Sequence, residues 1–460
     1  MPKKFTRSFE SAFRYFLPSP LTIALLLSFL AFLLVWFLGP DSLYQNFTKS
    51  IDYWIEGLWQ APLLVFMVQM MLILVLGHSL ALSPPIKKII TRLLRLAKTP
   101  EGLSALVCFF SLLVSLFNWG LGLVFGAIFA RQAGLKLSQL NLKFNYGLLG
   151  AAGYSGLMVW HGGFSGSAPL KVAEDNHLEE LMQGINLDGL ASKLPSSIGV
   201  EETLLSPMNI FTAITLLLVI PLLVYGLAKV SNWHKIPVFD RPDAAPAEGE
   251  ISYGAERLDS SRLFGLTLGF AILAININVM LQSEGLSFMT LNFINLSLLA
   301  LCFTFHGTLR SFLNALDQAI GGAAGILVQF PLYFGIMGLM SNSGLISQLS
   351  LYFSSISNAV SFPILSFFSA GLVNIFVPSG GGQWAIQGTI LIETALRLDI
   401  PLGKAVMALA YGDQLTNMLQ PFWALPLLAI TKLKAREIIP YTLLIMLVGI
   451  VIFTTSLVIF

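Results

Sequence analysis

The chain has 460 residues, of which 55% are hydrophobic and 11% charged, and its mean hydropathy is +0.78. A soluble domain carries about 25% charged residues, so this composition excludes an ordinary water-soluble enzyme and indicates an all-α protein that crosses a membrane several times. The net charge of +2 gives no reason to expect a nucleic-acid partner. Cys108 and Cys302 lie in apolar runs, so we expect neither a disulfide nor a zinc site.

The first apolar run, residues 21–38, follows four basic residues and ends at Gly39-Pro40 without a small-residue cleavage site. This pattern predicts a retained first span rather than a signal peptide. A crossing of the hydrocarbon core requires about 20 apolar residues. Nine segments meet this requirement, two of them interrupted by polar residues: 21–38, 62–82, 145–170 (interrupted), 208–228, 263–281, 288–305, 321–340, 404–430 (interrupted) and 441–460.

Two further regions, 102–130 and 362–396, each consist of two apolar arms around a polar, glycine-containing centre. An arm of about 15 residues rises only about 22 Å as a helix, which is short for a crossing. We therefore predict two re-entrant hairpins, each of which enters and leaves the membrane on one side. The first is predicted to enter from the cytoplasm and the second from outside.

Basic residues indicate the orientation, because cytoplasmic loops hold an excess of Lys and Arg. With the N-terminus inside, 21 of the 26 basic residues fall in cytoplasmic segments and 5 in outer segments. This count predicts nine spans and two hairpins, with the N-terminus in the cytoplasm and the C-terminus outside.

The two halves of the chain show weak similarity to each other. Three matches occur in order: Val68-Gln69 with Val328-Gln329, Phe109-Phe110-Ser111 with Phe367-Phe368-Ser369, and Tyr146-Gly147 with Tyr411-Gly412. We predict a first repeat over 1–230, a cytoplasmic linker and connecting span over 231–282, and a second repeat over 283–460. The predicted repeats have opposite topology, which is typical of secondary transporters with a substrate site near the midplane.

Hairpin tips and helix breaks are the places where non-helical backbone lines a cavity inside a membrane. Their free N–H groups can bind an anion, and their hydroxyl and amide groups can contact a ligand. The predicted substrate-binding residues lie in these four segments: Asn118, Trp119, Gly120, Gly122, Ser165, Ser167, Ser379, Gly380, Gly381, Gln383 and Asn417.

Of the 24 acidic residues, Glu393 and Asp413 fall in predicted membrane segments. Ionisable residues there cost free energy to bury in the membrane and usually have a function. We predict that Asp413, in the second break, binds Na⁺ or carries a proton, with an interhelical hydrogen bond as the alternative. Glu393 lies four residues before Arg397, which favours an ion pair. His161 is a candidate proton relay or a hydrogen-bonded structural residue.

Four motifs resemble the bacterial short-chain fatty acid transporter family, the acetoacetate and butyrate uptake permeases: Asn118-Trp-Gly-Leu-Gly-Leu-Val-Phe-Gly-Ala127, Gly162-Gly-Phe-Ser-Gly-Ser167, Val377-Pro-Ser-Gly-Gly-Gly382 and Gln420-Pro-Phe-Trp-Ala-Leu-Pro426. The resemblance implies an inner-membrane carrier of short monocarboxylates, related to ion-transporter folds with paired hairpins. The family pattern has Gly in place of His161, His in place of Gln383 and Glu in place of Asp413. The acid is therefore kept but shortened, which preserves a cation role.

The sequence thus predicts a secondary active transporter of short-chain fatty acids coupled to H⁺ or Na⁺, with no other cofactor. A carrier of dicarboxylates or another small organic anion is the alternative. An intramembrane enzyme using Ser165 or Ser155 with His161 is disfavoured, because the nucleophile-elbow pattern is incomplete. A channel with a permanent pore is also disfavoured, because paired hairpins that enter from opposite sides of the membrane fit alternating access better. The sequence leaves open whether the protein forms homo-oligomers.

Overall fold

The structure is a computed structural model that describes residue 15 and residues 18–183, 190–231, 253–283, 288 and 290–460. Within these ranges the chain is helical and holds no β-strand. The prediction of an all-α membrane protein is confirmed. Most of the predicted cytoplasmic linker lies outside the described residues.

The first half of the chain contains ten helices between residues 20 and 231 of the described part. A pair of 3₁₀ turns, Ser155–Met158 and Trp160–Gly162, follows the seventh helix. The helices are α1 (Pro20–Leu38), α2 (Leu43–Leu58), α3 (Ala61–Ala81), α4 (Pro84–Leu94), α5 (Pro100–Phe117), α6 (Trp119–Gln139), α7 (Tyr146–Tyr154), α8 (Ser167–Lys171), α9 (His177–Leu181) and α10 (Pro207–Ser231).

The second half begins with a short helix before the connecting span. A 3₁₀ turn, Asn417–Leu419, interrupts the chain near its end. The helices are α11 (Glu256–Asp259), α12 (Arg262–Gln282), α13 (Leu291–His306), α14 (Leu309–Ile320), α15 (Ala324–Asn342), α16 (Leu345–Ser355), α17 (Phe362–Phe376), α18 (Gly380–Arg397), α19 (Leu402–Thr416), α20 (Pro421–Thr431) and α21 (Ala435–Ile459).

Seven helical segments of the described chain are long and apolar enough to cross a membrane: Pro20–Leu38, Ala61–Ala81, Pro100–Phe117, Pro207–Ser231, Arg262–Gln282, Leu309–Asn342 and Ala435–Ile459. Six of them match predicted spans. The predicted span 288–305 corresponds to α13, a shorter apolar helix of 16 residues.

The chain reverses direction at Asn118, which ends α5 and begins α6. The Phe110 and Phe129 rings lie 6.0 Å apart, and an added Cβ at Gly126 would lie 2.8 Å from Ser111 Oγ. These pairs place α5 and α6 antiparallel, as a hairpin requires. The glycine lets the two arms approach closely.

The second reversal occurs at Val377–Ser379, between α17 and α18. Gln383 Nε2 donates to the Ala370 carbonyl oxygen at 2.8 Å, which places the two arms antiparallel. The predicted arm length of about 15 residues holds for α17 and is wrong for α5, α6 and α18, which have 18, 21 and 18 residues. The helices continue beyond the apolar runs, so arm length does not decide how either hairpin sits in the membrane. The side from which each hairpin enters stays a prediction, as does the inverted repeat.

Candidate functional site

The centre of the site is a buried pair, His161 and Asp413, separated by 252 residues in sequence. His161 lies in the 3₁₀ turn after α7, and its Nδ1 contacts Asp413 Oδ2; neither side chain is more than 1% exposed. The Ala168 N–H donates to His161 Nε2 at 3.0 Å. Because a backbone amide can only donate, Nε2 is an acceptor and the ring proton lies on Nδ1. In this tautomer the His161 ring is neutral and adds no positive charge beside Asp413.

The position of Asp413 corrects the sequence analysis, which placed this residue in a helix break. Asp413 lies inside the regular helix α19, and the break follows at Asn417–Leu419. Gly412 suggested an interruption, but an added Cβ there would lie 2.8 Å from Ala370 Cβ and overlap the Phe367 carbonyl oxygen. Gly412 is needed for close packing of α19 on α17, not for a break.

Gln414 connects α19 to the first helix break. Its Oε1 accepts the N–H groups of His161 at 2.9 Å and of Gly162 at 3.2 Å. Asn209 Nδ2 donates to the Gly162 carbonyl oxygen at 2.8 Å, and the Tyr411 hydroxyl donates to Asn209 Oδ1 at 3.0 Å. These bonds satisfy backbone groups that a buried 3₁₀ turn leaves free. The first break is therefore held rigidly beside Asp413.

The tip of the second hairpin lies directly against the buried pair. An added Cβ at Gly380 would lie 2.7 Å from His161 Cε1, 2.8 Å from Trp160 Cη2 and 3.3 Å from Asp413 Oδ2. Ser379 caps α18, its Oγ accepting the Gly382 N–H at 3.2 Å. Only glycine fits at position 380, and the positive N-terminal end of α18 lies beside the Asp413 carboxylate.

The tip of the first hairpin contacts the same segment after α7. Asn118 Oδ1 accepts the Leu121 N–H at 3.0 Å and so caps α6, and the Trp119 N–H donates to Ser165 Oγ at 3.0 Å. The Trp119 ring lies 6.0 Å from that of Trp160. The two predicted tips therefore meet around the segment that follows α7.

The solvent-accessible part of this region, here called the cleft, consists of residues at the two tips and in the segment between them. Gly381 and Phe164 are exposed, and four further residues are half-buried: Trp119, Ser165, Ser167 and Ser379. Ser167 faces the second tip, because its Cβ lies 4.0 Å from an added Cβ at Gly381. The segment 164–167 thus connects the two tips, and five predicted residues at the tips and in this segment are at least partly solvent-accessible.

Four other predicted residues have their closest contacts elsewhere. Gly122 packs on Ser115 within its own hairpin, and Gly120 packs on Ile73. Gln383 is fully buried inside the second hairpin, and its Nε2 donates to Gln387 Oε1 at 2.7 Å. Asn417 is buried in the second break, where its Oδ1 accepts from Asn374 Nδ2 at 2.9 Å. These four residues contact neighbours outside the cleft.

Sequence reasoning missed four residues of the site: Asn374, Gln414, Gln420 and Trp160 as a donor. The amide of Asn374 is an isolated polar group at the apolar end of α17, which is a recognisable signal, whereas Gln414 directly follows Asp413. The Trp160 Nε1–H is buried and has no hydrogen-bond partner among the described residues. Buried donors are normally paired, so this one is available to a ligand oxygen.

The Glu393–Arg397 pair forms as predicted, with Arg397 Nη2 2.9 Å from Glu393 Oε1. The alternative of a serine enzyme finds no geometric support. Both ring nitrogens of His161 are occupied by Asp413 and Ala168, and Ser165 bonds to the first tip instead.

Comparison with known proteins identifies the family. A family model described as "Short chain fatty acid transporter" matches residues 1–460. A relative from Escherichia coli (strain K12), provisionally named as a short-chain fatty acid transporter, is 38% identical over 448 residues, covering 96% of each chain. A relative from Haemophilus influenzae with the same name is 36% identical over 436 residues, covering 93% of this chain and 92% of its own.

Two solved transporters are similar in structure at low identity. The YdaH transporter of Alcanivorax borkumensis has a TM-score of 0.45 at 15% identity, covering 96% of this chain and 98% of its own. MtrF of Neisseria gonorrhoeae has a TM-score of 0.40 at 14% identity, covering 97% of each chain. The match over the whole chain, together with relatives at 36–38% identity, shows a transport protein and not an enzyme. The chain belongs to the short-chain fatty acid transporter family.

Proposed function

We propose that the protein is a secondary active transporter that carries short-chain fatty acids, such as butyrate or acetoacetate, across the bacterial inner membrane in symport with H⁺ or Na⁺. The observation that supports this proposal is the meeting of two hairpin tips around Asp413, a buried carboxylate whose contacting side chain, His161, adds no positive charge. Family membership supports the class of cargo.

The acid would bind through its carboxylate at the N-terminus of α18. The first-turn N–H groups of Gly380 and Gly381 lie at the N-terminus of α18, where the helix dipole favours an anion. Ser167 and the free Trp160 Nε1–H supply further donors. The rings of Trp119 and Phe164 offer apolar surface for a short alkyl chain. None of the segments 118–122, 160–168, 377–384 and 411–420 contains Lys or Arg.

Coupling follows from the charges in this arrangement. A carboxylate bound at the α18 N-terminus lies close to Asp413, and two like charges in a poorly solvated site repel strongly. A cation bound with the acid removes this repulsion, so each ligand increases the affinity for the other. The protein would load the acid and the cation together at one membrane face and release them together at the other. By alternating access, the cation gradient then drives uptake of the acid.

The proposed location is the cell inner membrane, with the N-terminus in the cytoplasm. The support for this orientation is the distribution of basic residues, 21 in the segments placed inside and 5 in those placed outside.

The direct test is uptake of labelled acids by the purified protein in proteoliposomes. Imposed Na⁺ or proton gradients should drive accumulation of straight-chain acids of about two to six carbons. Competition by a panel of mono- and dicarboxylates then separates the proposed cargo from the alternative of a dicarboxylate or another small anion. Absence of gradient-dependent uptake for every short acid in the panel would refute the proposal.

A further inference from the structure

The end of α17 contains a cluster of oxygen atoms around one side-chain amide. Asn374 Nδ2 lies 2.7 Å from the Asp413 carbonyl oxygen, 2.9 Å from Asn417 Oδ1 and 3.0 Å from Thr416 Oγ1. An amide nitrogen has two hydrogens, so it cannot donate fully to three acceptors. The three oxygens surround the amide nitrogen of Asn374 and can accept more hydrogen bonds than its two hydrogens supply.

Two side-chain oxygens beside this set have no partner. Asn374 Oδ1 and Gln420 Oε1 are buried and without a hydrogen bond among the described residues. Asn374 is fully buried, Gln420 is 6% exposed, and Gln420 Nε2 donates to the Asn374 carbonyl oxygen at 2.6 Å. Buried amide oxygens are normally paired, so two neighbouring exceptions indicate a missing positively charged or donating group.

We propose that these oxygens form a Na⁺ site, the Asn374 site, consisting of the Asp413 carbonyl oxygen, Thr416 Oγ1, Asn417 Oδ1 and Asn374 Oδ1. When the site is empty, the amide nitrogen of Asn374 donates to the other three oxygens. When Na⁺ binds, the amide turns over so that Oδ1 takes the place of Nδ2. The two orientations of an amide are nearly equal in shape and differ only in which group faces its partners. The proposal rests on the proposed function, since it makes Na⁺ the coupling cation.

The chemistry of the cluster favours a monovalent hard cation. All four ligands are neutral oxygens, whereas Ca²⁺ and Mg²⁺ sites use carboxylates and waters. The site lies at the C-terminal end of α19, where the unpaired carbonyl groups give a partial negative charge. Oxygens at half-helix C-terminal ends are the ligands that a broken membrane helix offers to Na⁺.

The Asn374 site shares a residue with the substrate cleft. Asp413 supplies its carbonyl oxygen to the cluster and its carboxylate to the pair with His161 beside the α18 tip. A cation at the Asn374 site therefore offsets the negative charge of the Asp413 carboxylate, which repels a bound acid. This shared residue gives the two ligands a short physical connection.

The test measures Na⁺ binding without transport. Thermal unfolding of the purified full-length protein, followed by tryptophan fluorescence, is recorded in NaCl, KCl and choline chloride at constant ionic strength. Wild type should show a saturable rise in Tm with Na⁺ that K⁺ and choline do not reproduce. Asn374→Ala and Thr416→Val should each weaken the apparent Na⁺ affinity by about tenfold or more. Thr394→Val, which removes a similar hydroxyl on α18, is the matched control and should respond as wild type does.

The outcomes separate this inference from the proposed function. If wild type shows no Na⁺-specific stabilisation but transports acids with a proton gradient, the Asn374 site is wrong and the transport proposal stands. The same conclusion follows if Thr416→Val, correctly folded, keeps wild-type Na⁺ affinity, since the cluster then holds a water molecule instead. If Na⁺ binding is lost in both variants but no acid is transported, the site stands and the cargo is wrong.

Discussion

Replacing Asp413 by Asn tests whether its charge couples the cation to the acid. The amide keeps an oxygen that can accept from His161 Nδ1–H, so the substitution removes the charge and retains the hydrogen bond. It leaves the backbone carbonyl of residue 413 in place. Any change in coupling therefore reports the carboxylate.

The size of the effect follows from the geometry of the α18 tip. Asp413 Oδ2 lies 3.3 Å from the position of a Cβ on Gly380, so an acid bound by the first-turn N–H groups would be about 5 Å from the carboxylate. Two charges about 5 Å apart at an effective dielectric constant of about 20 repel by about 3 kcal/mol. This energy corresponds to more than a hundredfold in affinity. Without a cation, Asp413→Asn should bind the acid about a hundredfold more tightly than wild type does.

Two measurements in proteoliposomes separate coupling from binding. Asp413→Asn should lose accumulation of labelled butyrate under an imposed Na⁺ or proton gradient, yet retain exchange of labelled for unlabelled acid without a gradient. Glu393→Gln is the matched control, because Glu393 forms a surface pair with Arg397 that has little effect on stability or on the cleft. Accumulation by Asp413→Asn to the wild-type level would refute the reasoning.

Three further predictions concern residues that hold the site together. Gly126→Ala should lower the free energy of unfolding by about 1 to 3 kcal/mol, because its methyl group would overlap the Gly153 carbonyl oxygen. The control Gly226→Ala, with no atom within 4 Å of the added methyl group, should raise it by about 0.5 to 1 kcal/mol. Equal effects of the two substitutions in unfolding experiments would contradict this. Gly380→Ala should reduce uptake at least about tenfold, since a methyl group would force apart the rings 2.7–2.8 Å away, and wild-type uptake would exclude a tight tip. Gln414→Leu should destabilise the fold by about 2 to 4 kcal/mol by leaving two buried N–H groups unpaired, and an unchanged Tm would show that water replaces the amide.

The positions of both hairpins could be predicted from local sequence alone. A polar, glycine-containing centre within an apolar run marks a place where a membrane helix cannot simply continue, and the chain reverses at Asn118 and at Val377–Ser379. Helix ends were less predictable. α6 continues past Arg131 and Lys136 to Gln139, because helical hydrogen bonding does not stop where the apolar run stops.

The His161–Asp413 pair could not be predicted, because nothing local connects residues 252 positions apart. Each residue alone has an ordinary structural explanation, and the sequence left such a role open for both. Gly412 suggested a helix break where the helix is regular. A glycine required by a close helix contact looks the same in sequence as one required by a break. Asn374 gave a usable signal as an isolated amide in an apolar arm, but its three oxygen partners come from a different helix.

The charge balance of the cleft also bears on the choice between monocarboxylate and dicarboxylate cargo. One carboxylate, that of Asp413, lies in the four tip and break segments, and these segments contain no Lys or Arg. A monocarboxylate and one cation enter with no net charge, and the helix N-terminus of α18 stabilises the acid. A dicarboxylate would bring a second charge with no cationic side chain to receive it, and its repulsion by the neighbouring carboxylates then opposes binding. Unless a second cation accompanies it, a dicarboxylate should compete less well than butyrate for uptake, so this arrangement of charges favours a short monocarboxylate as cargo.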